Sequence, residues 1–281
     1  MSKIPEHLGS LTLSRQVGVG RHCQVWEAVD SASGQRVAVK VVVPEMAGDA
    51  GQRRLLRHEL FVAERLDHPA IIRIDQFSKA GGIPHLIMEL YPHANLKKQI
   101  AAGVDEIAPR LHRIITQVAW ALDHMHGRGW VHRDVKPDNV LASANGEVKL
   151  IDLAIAARKP GLISRFFGRK GPAQGSPSYI APEQIRGLPV DPRSDIYSLG
   201  CTLFELLAGL PPYTASTTED LLQKHLSAKP PAVEAFNDNA TASVSKLIRQ
   251  MLAKKPADRP PSMKALVQQI GTMKFLNRVG G

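Results

Sequence analysis

The run His132-Arg133-Asp134-Val135-Lys136-Pro137-Asp138-Asn139 packs two carboxylates, a guanidinium, an ammonium and a carboxamide into one short stretch. Farther along, Asp152 opens the triplet Asp152-Leu153-Ala154 and adds another oxygen donor. Hard oxygen ligands of this kind suit Mg²⁺ or Mn²⁺ far better than zinc. Toward the N-terminus, Gly18-Val19-Gly20 lies between two strand-like runs just ahead of Lys40. A Gly-x-Gly pair alone is more often an ordinary hairpin, so its meaning depends on what accompanies it. The only cysteines, Cys23 and Cys201, are far apart in sequence, which excludes a disulfide framework and a structural zinc set and makes a reducing compartment the default.

Taken in order, these segments resemble the signatures of the eukaryotic-type Ser/Thr protein kinases. They are a Gly-rich loop, a strand lysine in Val37-Ala38-Val39-Lys40, a helix glutamate, H-R-D-x-K-P-x-N at 132–139, an Asp-led metal motif and Ala181-Pro182-Glu183. The resemblance runs from about Leu11 to Phe275 and implies an α+β, bilobal kinase fold. Residues 1–91 form an antiparallel β-rich N-lobe with one helix and 92–281 a mainly helical C-lobe, together one catalytic domain. It further implies transfer of the ATP γ-phosphate to protein Ser/Thr hydroxyls, the chain's own included, with Mg²⁺ or Mn²⁺ as the metal. In that reading Asp134 orients the substrate hydroxyl and takes its proton, Lys136 neutralises the transferred group, and Asn139 and Asp152 hold the metal. Lys40 contacts the α- and β-phosphates and is locked by a helix carboxylate. Glu59 stands at the family's spacing before His68-Pro69, and Glu64 is the weaker candidate. Val17, Gly18, Gly20, Val25 and Ala38 belong to the nucleotide-binding set, with Met88 as gatekeeper and Glu89 and Leu90 as the hinge.

Two positions depart from the family pattern. Cys23 replaces the third glycine of the loop, where a small side chain is tolerated with some loss of flexibility. Ala154 replaces the glycine of D-F-G, restricting φ where glycine would turn freely. The activation segment, Asp152 to Glu183, ends in Gly175-Ser176-Pro177-Ser178-Tyr179-Ile180-Ala181-Pro182-Glu183, which resembles a substrate-docking loop. Ser176 with Lys136 favours Ser/Thr over Tyr substrates, Glu183 is expected to pair with Arg259, and Asp195 to bind the catalytic-loop backbone. Arg133 before Asp134 implies ordering of the segment by phosphorylation, with Ser164 as the expected site. His126 and His132 belong to the structural framework rather than to a metal site.

Positioning these residues requires two kinds of element. Strands are expected at Leu11–Val17, Gln24–Val29, Arg36–Val43, Ile71–Phe77 and His85–Tyr91, interrupted by a helix between Gln52 and Leu66. Beyond Pro92 the pattern turns helical. Pro109 marks a start, and Leu111, Ile114, Ile115, Val118, Ala119, Leu122 and Met125 form one apolar stripe ending near Gly127. Further helices are expected at Ile196–Leu207, apolar on nearly all sides, and at Glu219–Leu226, Ala242–Leu252 and Ser262–Phe275.

The balance of 36 Lys+Arg against 26 Asp+Glu leaves a net charge of +10. Half of it falls between Leu153 and Pro182, where Arg158, Lys159, Arg165, Arg169 and Lys170 face no Asp or Glu, so an acidic protein substrate is expected rather than nucleic acid. Met1 to Gln16 lacks a signal-peptide core, and the longest apolar run, Ile196 to Leu210, is broken by Glu205 and too short to span a bilayer. A cytoplasmic, membrane-free bacterial enzyme is the expectation, with self-association for autophosphorylation in trans. A pseudokinase scaffold, suggested by Cys23 and Ala154, is opposed by Lys40, Asp134, Asn139 and Asp152. A small-molecule phosphotransferase is opposed by the Ala181-Pro182-Glu183 segment.

Overall fold

Alternating β-branched residues from Leu11 onward build an antiparallel sheet, because each strand must turn one face to a core. The computed structural model describes residues 4–159 and 174–278. Its first strands are β1 (His7–Leu8), β2 (Leu11–Val19), β3 (Cys23–Asp30), β4 (Arg36–Val42), β5 (Ile74–Ala80) and β6 (Ile83–Glu89), in the spatial order β1-β2-β3-β4-β6-β5. One face packs Leu11, Leu13, Ala28, Val39, Val41 and Ile83 against Ile4 and Leu8. The expected helix is α1 (Ala50–Ala63), capped at its start by the Asp49 side chain on the Gln52 N–H. It begins earlier than the apolar spacing suggests because of that cap, and it ends three residues earlier, in a turn closed by Leu66 N–H to Ala63 O.

The chain divides into two compact units, Met1–Asp67 with Ile72–Pro92, and His68–Ile71 with His93–Gly281. The four residues 68–71 differ from the expected boundary because they bond within the second unit. Ile71 forms a parallel bridge to Leu150, and the Leu150 N–H donates to Ala70 O. The strand expected from Ile71 therefore starts at Ile74 instead.

The second unit contains α2 (Leu96–Ala102), α3 (Leu111–Gly127), α4 (Pro182–Ile185), α5 (Pro192–Ala208), α6 (Thr218–Ser227), α7 (Ala242–Met251) and α8 (Met263–Gly271). Short strands β7 (Trp130–Val131), β8 (Val140–Ala142), β9 (Val148–Leu150) and β10 (Ala157–Arg158) pair as β7 with β10 and β8 with β9. The apolar stripe of α3 is buried as its spacing requires, although Pro109 lies in a 3₁₀ turn just before it. Helix α5 is buried from Ser194 to Leu207, as expected of a helix apolar on nearly all sides. It packs so tightly on α7 that a Cβ at Gly200 would come within 2.9 Å of Met251 Cβ. Helix α8 stops at Gly271, short of Phe275, whose ring instead packs on His112.

Candidate active site

In the first unit the sheet register decides which side chains share a face. Gly18 pairs with Val25, Val25 with Lys40, and Ala38 with Met88, while Ala38 and Lys40 are two residues apart on β4. Cross-strand partners and i, i+2 neighbours point the same way, so Gly18, Val25, Ala38, Lys40 and Met88 line one face, opposite the Leu11–Val39–Val41 core. Val17 falls in a register shift between Gln16 and Gly18. The Gly18–Val25 segment is a tight hairpin closed by the Gly20 N–H on Cys23 O, with Cys23 already in strand β3 opposite Val42. A Cβ at Gly18 would press on Val25 Cβ at 3.4 Å. Lys40 Nζ donates to Glu59 Oε2 at 2.7 Å, and Glu59 is buried on α1. Glu64 instead lies on the surface, 3.6 Å from Arg65. Glu89 ends β6 and accepts the Arg73 N–H on its carboxylate, with Leu90 just beyond the strand.

In the second unit the 132–139 segment is held from below by Asp195 near the start of α5. Its carboxylate accepts the His132 and Arg133 N–H groups, each at 2.8 Å, and bonds His126 Nε2 at 2.8 Å. Complete burial alone would raise the Asp195 pKa, but the His126 hydrogen bond and the nearby imidazoles and amides outweigh it and hold the carboxyl low. Arg133 then adopts φ 73°, and Asp152 φ 66°; these are the non-glycine residues with positive φ among those described. Such backbone is costly for an L-residue and persists only where neighbours enforce it. For Asp152 the neighbour is Asn139, whose carbonyl accepts the Ile151 N–H at 2.9 Å. The turn after β9 is thus made at Asp152. Ala154 keeps an ordinary φ, so its loss of glycine's freedom carries no cost in this conformation.

Asp134 is the centre of the resulting network. Lys136 Nζ lies 2.7 Å from Asp134 Oδ2 and 2.6 Å from Ser176 Oγ, and the Ser176 N–H donates to Asp134 Oδ1 at 2.9 Å. Asn139 Nδ2 donates to the Asp134 carbonyl and to its Oδ2, which turns the Asn139 amide oxygen away from Asp134. The backbone bond from the Ile151 N–H to Asn139 O sets the segment of Asp152 beside that of Asn139. No group of three or more His, Cys, Asp or Glu able to hold a metal occurs among the described residues. A divalent ion bound by two side chains fits a site completed by phosphate and water oxygens.

Residues 174–184 are fixed by contacts of which the sequence reading anticipated the Glu183–Arg259 pair but not those of Gln184 and Tyr179. Gln184 Nε2 donates to Arg133 O and to Gln174 O. Gly175, at φ 131°, sits where a Cβ would lie 3.1 Å from Arg133 O. Tyr179 OH donates to Glu205 Oε2 at 2.6 Å, and burial raises its pKa, so it remains a donor. Glu183 takes both Arg259 guanidinium nitrogens, at 2.7 and 2.8 Å, in a buried bidentate pair. The signal for Glu205 was present in the sequence, since a carboxylate inside the apolar run Ile196–Leu207 must have a partner. The expected phosphosite Ser164, with Arg165, Arg169 and Lys170, lies outside the described residues.

The sequence model of the protein kinase domain matches residues 11–270. The chain belongs to the protein kinase family. It is 32% identical over 257 residues to a probable serine/threonine-protein kinase of Streptomyces coelicolor, covering 90% of this chain and 38% of that protein. It is 33% identical over 258 residues to the serine/threonine-protein kinase PknH of Mycobacterium bovis, covering 92% and 43%, and 32% identical over 260 residues to PknB of Mycobacterium tuberculosis, covering 91% and 41%. The kinase chain thus spans about two fifths of the length of these bacterial relatives. Its fold is that of the family, an antiparallel sheet unit followed by a helical unit. The kinase family uses ATP and a divalent metal and acts on proteins. Among the described residues no helix is long and apolar enough to cross a membrane.

Proposed function

We propose that this kinase transfers the ATP γ-phosphoryl group to Ser or Thr hydroxyls of proteins, itself included, and that residues 1–91 and 92–281 act as one catalytic domain. The observation that carries the reading is the Asp134–Lys136–Ser176–Asn139 network, in which a carboxylate, an ammonium and a docking-loop hydroxyl converge. Asp134 accepts a hydrogen bond from the substrate hydroxyl and takes its proton as the oxygen bonds to phosphorus and the bond to the β–γ bridging oxygen breaks, leaving ADP. Lys136 offsets the charge that collects on the transferred group. Lys40, fixed by Glu59, binds the α- and β-phosphates. Val17, Gly18, Gly20, Val25 and Ala38 form the sheet face for the nucleotide, with Met88 and Glu89 at the end of β6 and Leu90 just beyond it. Asn139 and Asp152 hold Mg²⁺, or Mn²⁺ in its place; the ion supplies charge neutralisation to the phosphates. The net charge of +10 supports acidic protein surfaces as substrates. Self-association for phosphorylation in trans and a cytoplasmic location complete the reading, the latter supported by Cys23 and Cys201 being thiols outside any disulfide.

Incubation with labelled ATP and either metal, wild type beside Asp134→Asn, tests the proposal. Wild type is expected to incorporate phosphate, and the variant to lose activity by about 10²–10⁴-fold. A correctly folded wild type that incorporates none with either metal would instead favour a scaffold.

A further inference from the structure

The peptide that joins Arg133 to Asp134 is held at both of its edges. Its N–H, on Asp134, donates to His132 Nδ1 at 3.3 Å, and its carbonyl, on Arg133, accepts Gln184 Nε2 at 3.0 Å. Arg133 has φ 73°, a conformation that an L-residue keeps only where its neighbours enforce it. Asp195 enforces it from the amino side, through the Arg133 N–H at 2.8 Å, and Gln184 from the carbonyl side. Gln184 is buried on α4, directly after Glu183, which Arg259 grips with both guanidinium nitrogens. A carboxamide carries an acceptor oxygen and two donor hydrogens on its nitrogen. Here the oxygen takes the Ala181 N–H at 3.2 Å, and the nitrogen faces two carbonyls, Arg133 O and, at 2.9 Å, Gln174 O. The surroundings therefore match glutamine in both the number and the direction of its hydrogen bonds.

One nitrogen thus ties the residue before Asp134 to the residue two before Ser176, whose N–H meets Asp134 Oδ1 at 2.9 Å. Gly175 lies between Gln174 and Ser176, and a Cβ there would come within 3.1 Å of Arg133 O and 3.4 Å of Gln184 Nε2, so the segments close on one point. We infer that Gln184 is a positioning residue for phosphoryl transfer: it fixes the Arg133–Asp134 peptide plane, and with it the direction of the Asp134 carboxylate relative to the segment that docks the protein substrate. It acts through Arg133 O and touches no reacting atom. The inference rests on the reading of Asp134 as the group that takes the substrate proton. Leucine at 184 would remove both donors and release Arg133 O. Glutamate would keep the shape but set a carboxylate oxygen against two carbonyls, and only its protonated form could donate to one of them.

The test measures kcat, and KM for a Ser peptide and for ATP, in the full chain as wild type, Gln184→Leu and Gln184→Glu, with the Tm of each. Both variants are expected to lose about tenfold or more in kcat, because a small misplacement of a reacting group is costly. KM for ATP is expected to stay within about twofold, since Arg133, Gln174 and Ala181, the partners of the Gln184 amide, lie outside the proposed nucleotide set. KM for the peptide is expected to change less than kcat, whereas a residue that only propped up the docking segment would raise that KM and spare kcat. Lowering the pH from about 8 to about 6 is expected to raise the ratio of Gln184→Glu to wild-type kcat severalfold, as the buried carboxyl takes up a proton and regains a donor, and to leave the Gln184→Leu ratio flat. If Gln184→Leu fails to fold, the pH response of Gln184→Glu still decides the question. A folded Gln184→Leu with wild-type kcat, a loss confined to the peptide KM, or a Gln184→Glu ratio that is flat with pH overturns the inference. An inactive wild type would overturn the kinase reading itself, and is told apart by the wild-type rate alone.

Discussion

Individual side chains divide into those whose type announces their task and those whose task comes only from burial. Asp134, Lys136, Asn139 and Asp152, with the roles proposed for them by family resemblance, belong to the first group, because their chemistry and spacing are visible along the chain. His225 belongs to the second. It is a lone histidine in an amphipathic run, yet it is fully buried on α6, with Nδ1 2.9 Å from Tyr197 OH and its ring 4.9 Å from that of Tyr213. Burial, with the Lys254 ammonium close by, lowers its pKa from 6.5 to about 4. The unfolded chain therefore takes up a proton below pH 6.5 that the folded chain refuses until about pH 4. Stability is lost as pH falls through that window. Thermal and denaturant unfolding of wild type and His225→Gln at pH 7 and pH 4 is expected to show a drop about 3 kcal/mol larger in wild type. Equal drops would mean that His225 titrates normally in the folded state. Nothing in the neighbouring residues of the sequence reveals this shift, because Tyr197 and Tyr213 come from other segments.

Helices and strands were legible where their periodicity was long. Helix α3 and helix α5 emerge from their apolar patterns, since seventeen-residue helices bury enough side chains to declare a face. Helix α2 has seven residues and two adjacent lysines and gives no comparable pattern; its Asn95 cap was its one local signal. Strands β7 and β10 are two residues each, and their pairing is decided by tertiary position rather than by propensity. Element packing also sets limits that composition hides. Gly200 is a mid-helix glycine, which local propensity alone would have replaced with alanine. Because the added Cβ would meet Met251 Cβ at 2.9 Å and Leu252 Cδ2 at 3.3 Å, Gly200→Ala is expected to push α7 off α5 and cost about 1–3 kcal/mol, measured as a lowered Tm. An unchanged or raised Tm would show that α7 shifts without cost.

For the molecule as a whole, the family resemblance conveyed the fold more completely than any local pattern, because it fixes the order of elements that periodicity leaves unconnected. The charge belongs to this scale too. With a net +10, and five of those charges unopposed between residues 153 and 182, the proposed association with acidic peptides would be steered over distances that salt shortens. Raising ionic strength from low salt to ~0.15 M, where the screening length is about 8 Å, is expected to lower kcat/KM severalfold for a Glu-rich peptide and to leave a neutral peptide nearly unchanged. Equal responses would remove the electrostatic argument for acidic substrates. The excursion of His68–Ile71 bears on how the protein can be divided. A fragment cut after Pro92 would carry Ala70 and Ile71, buried in the intact chain, away from Leu150, their bonding partner. Split-protein reassembly or expression of the sheet unit alone would therefore expose a short apolar strand edge, and would call for a solubilising replacement of those four residues.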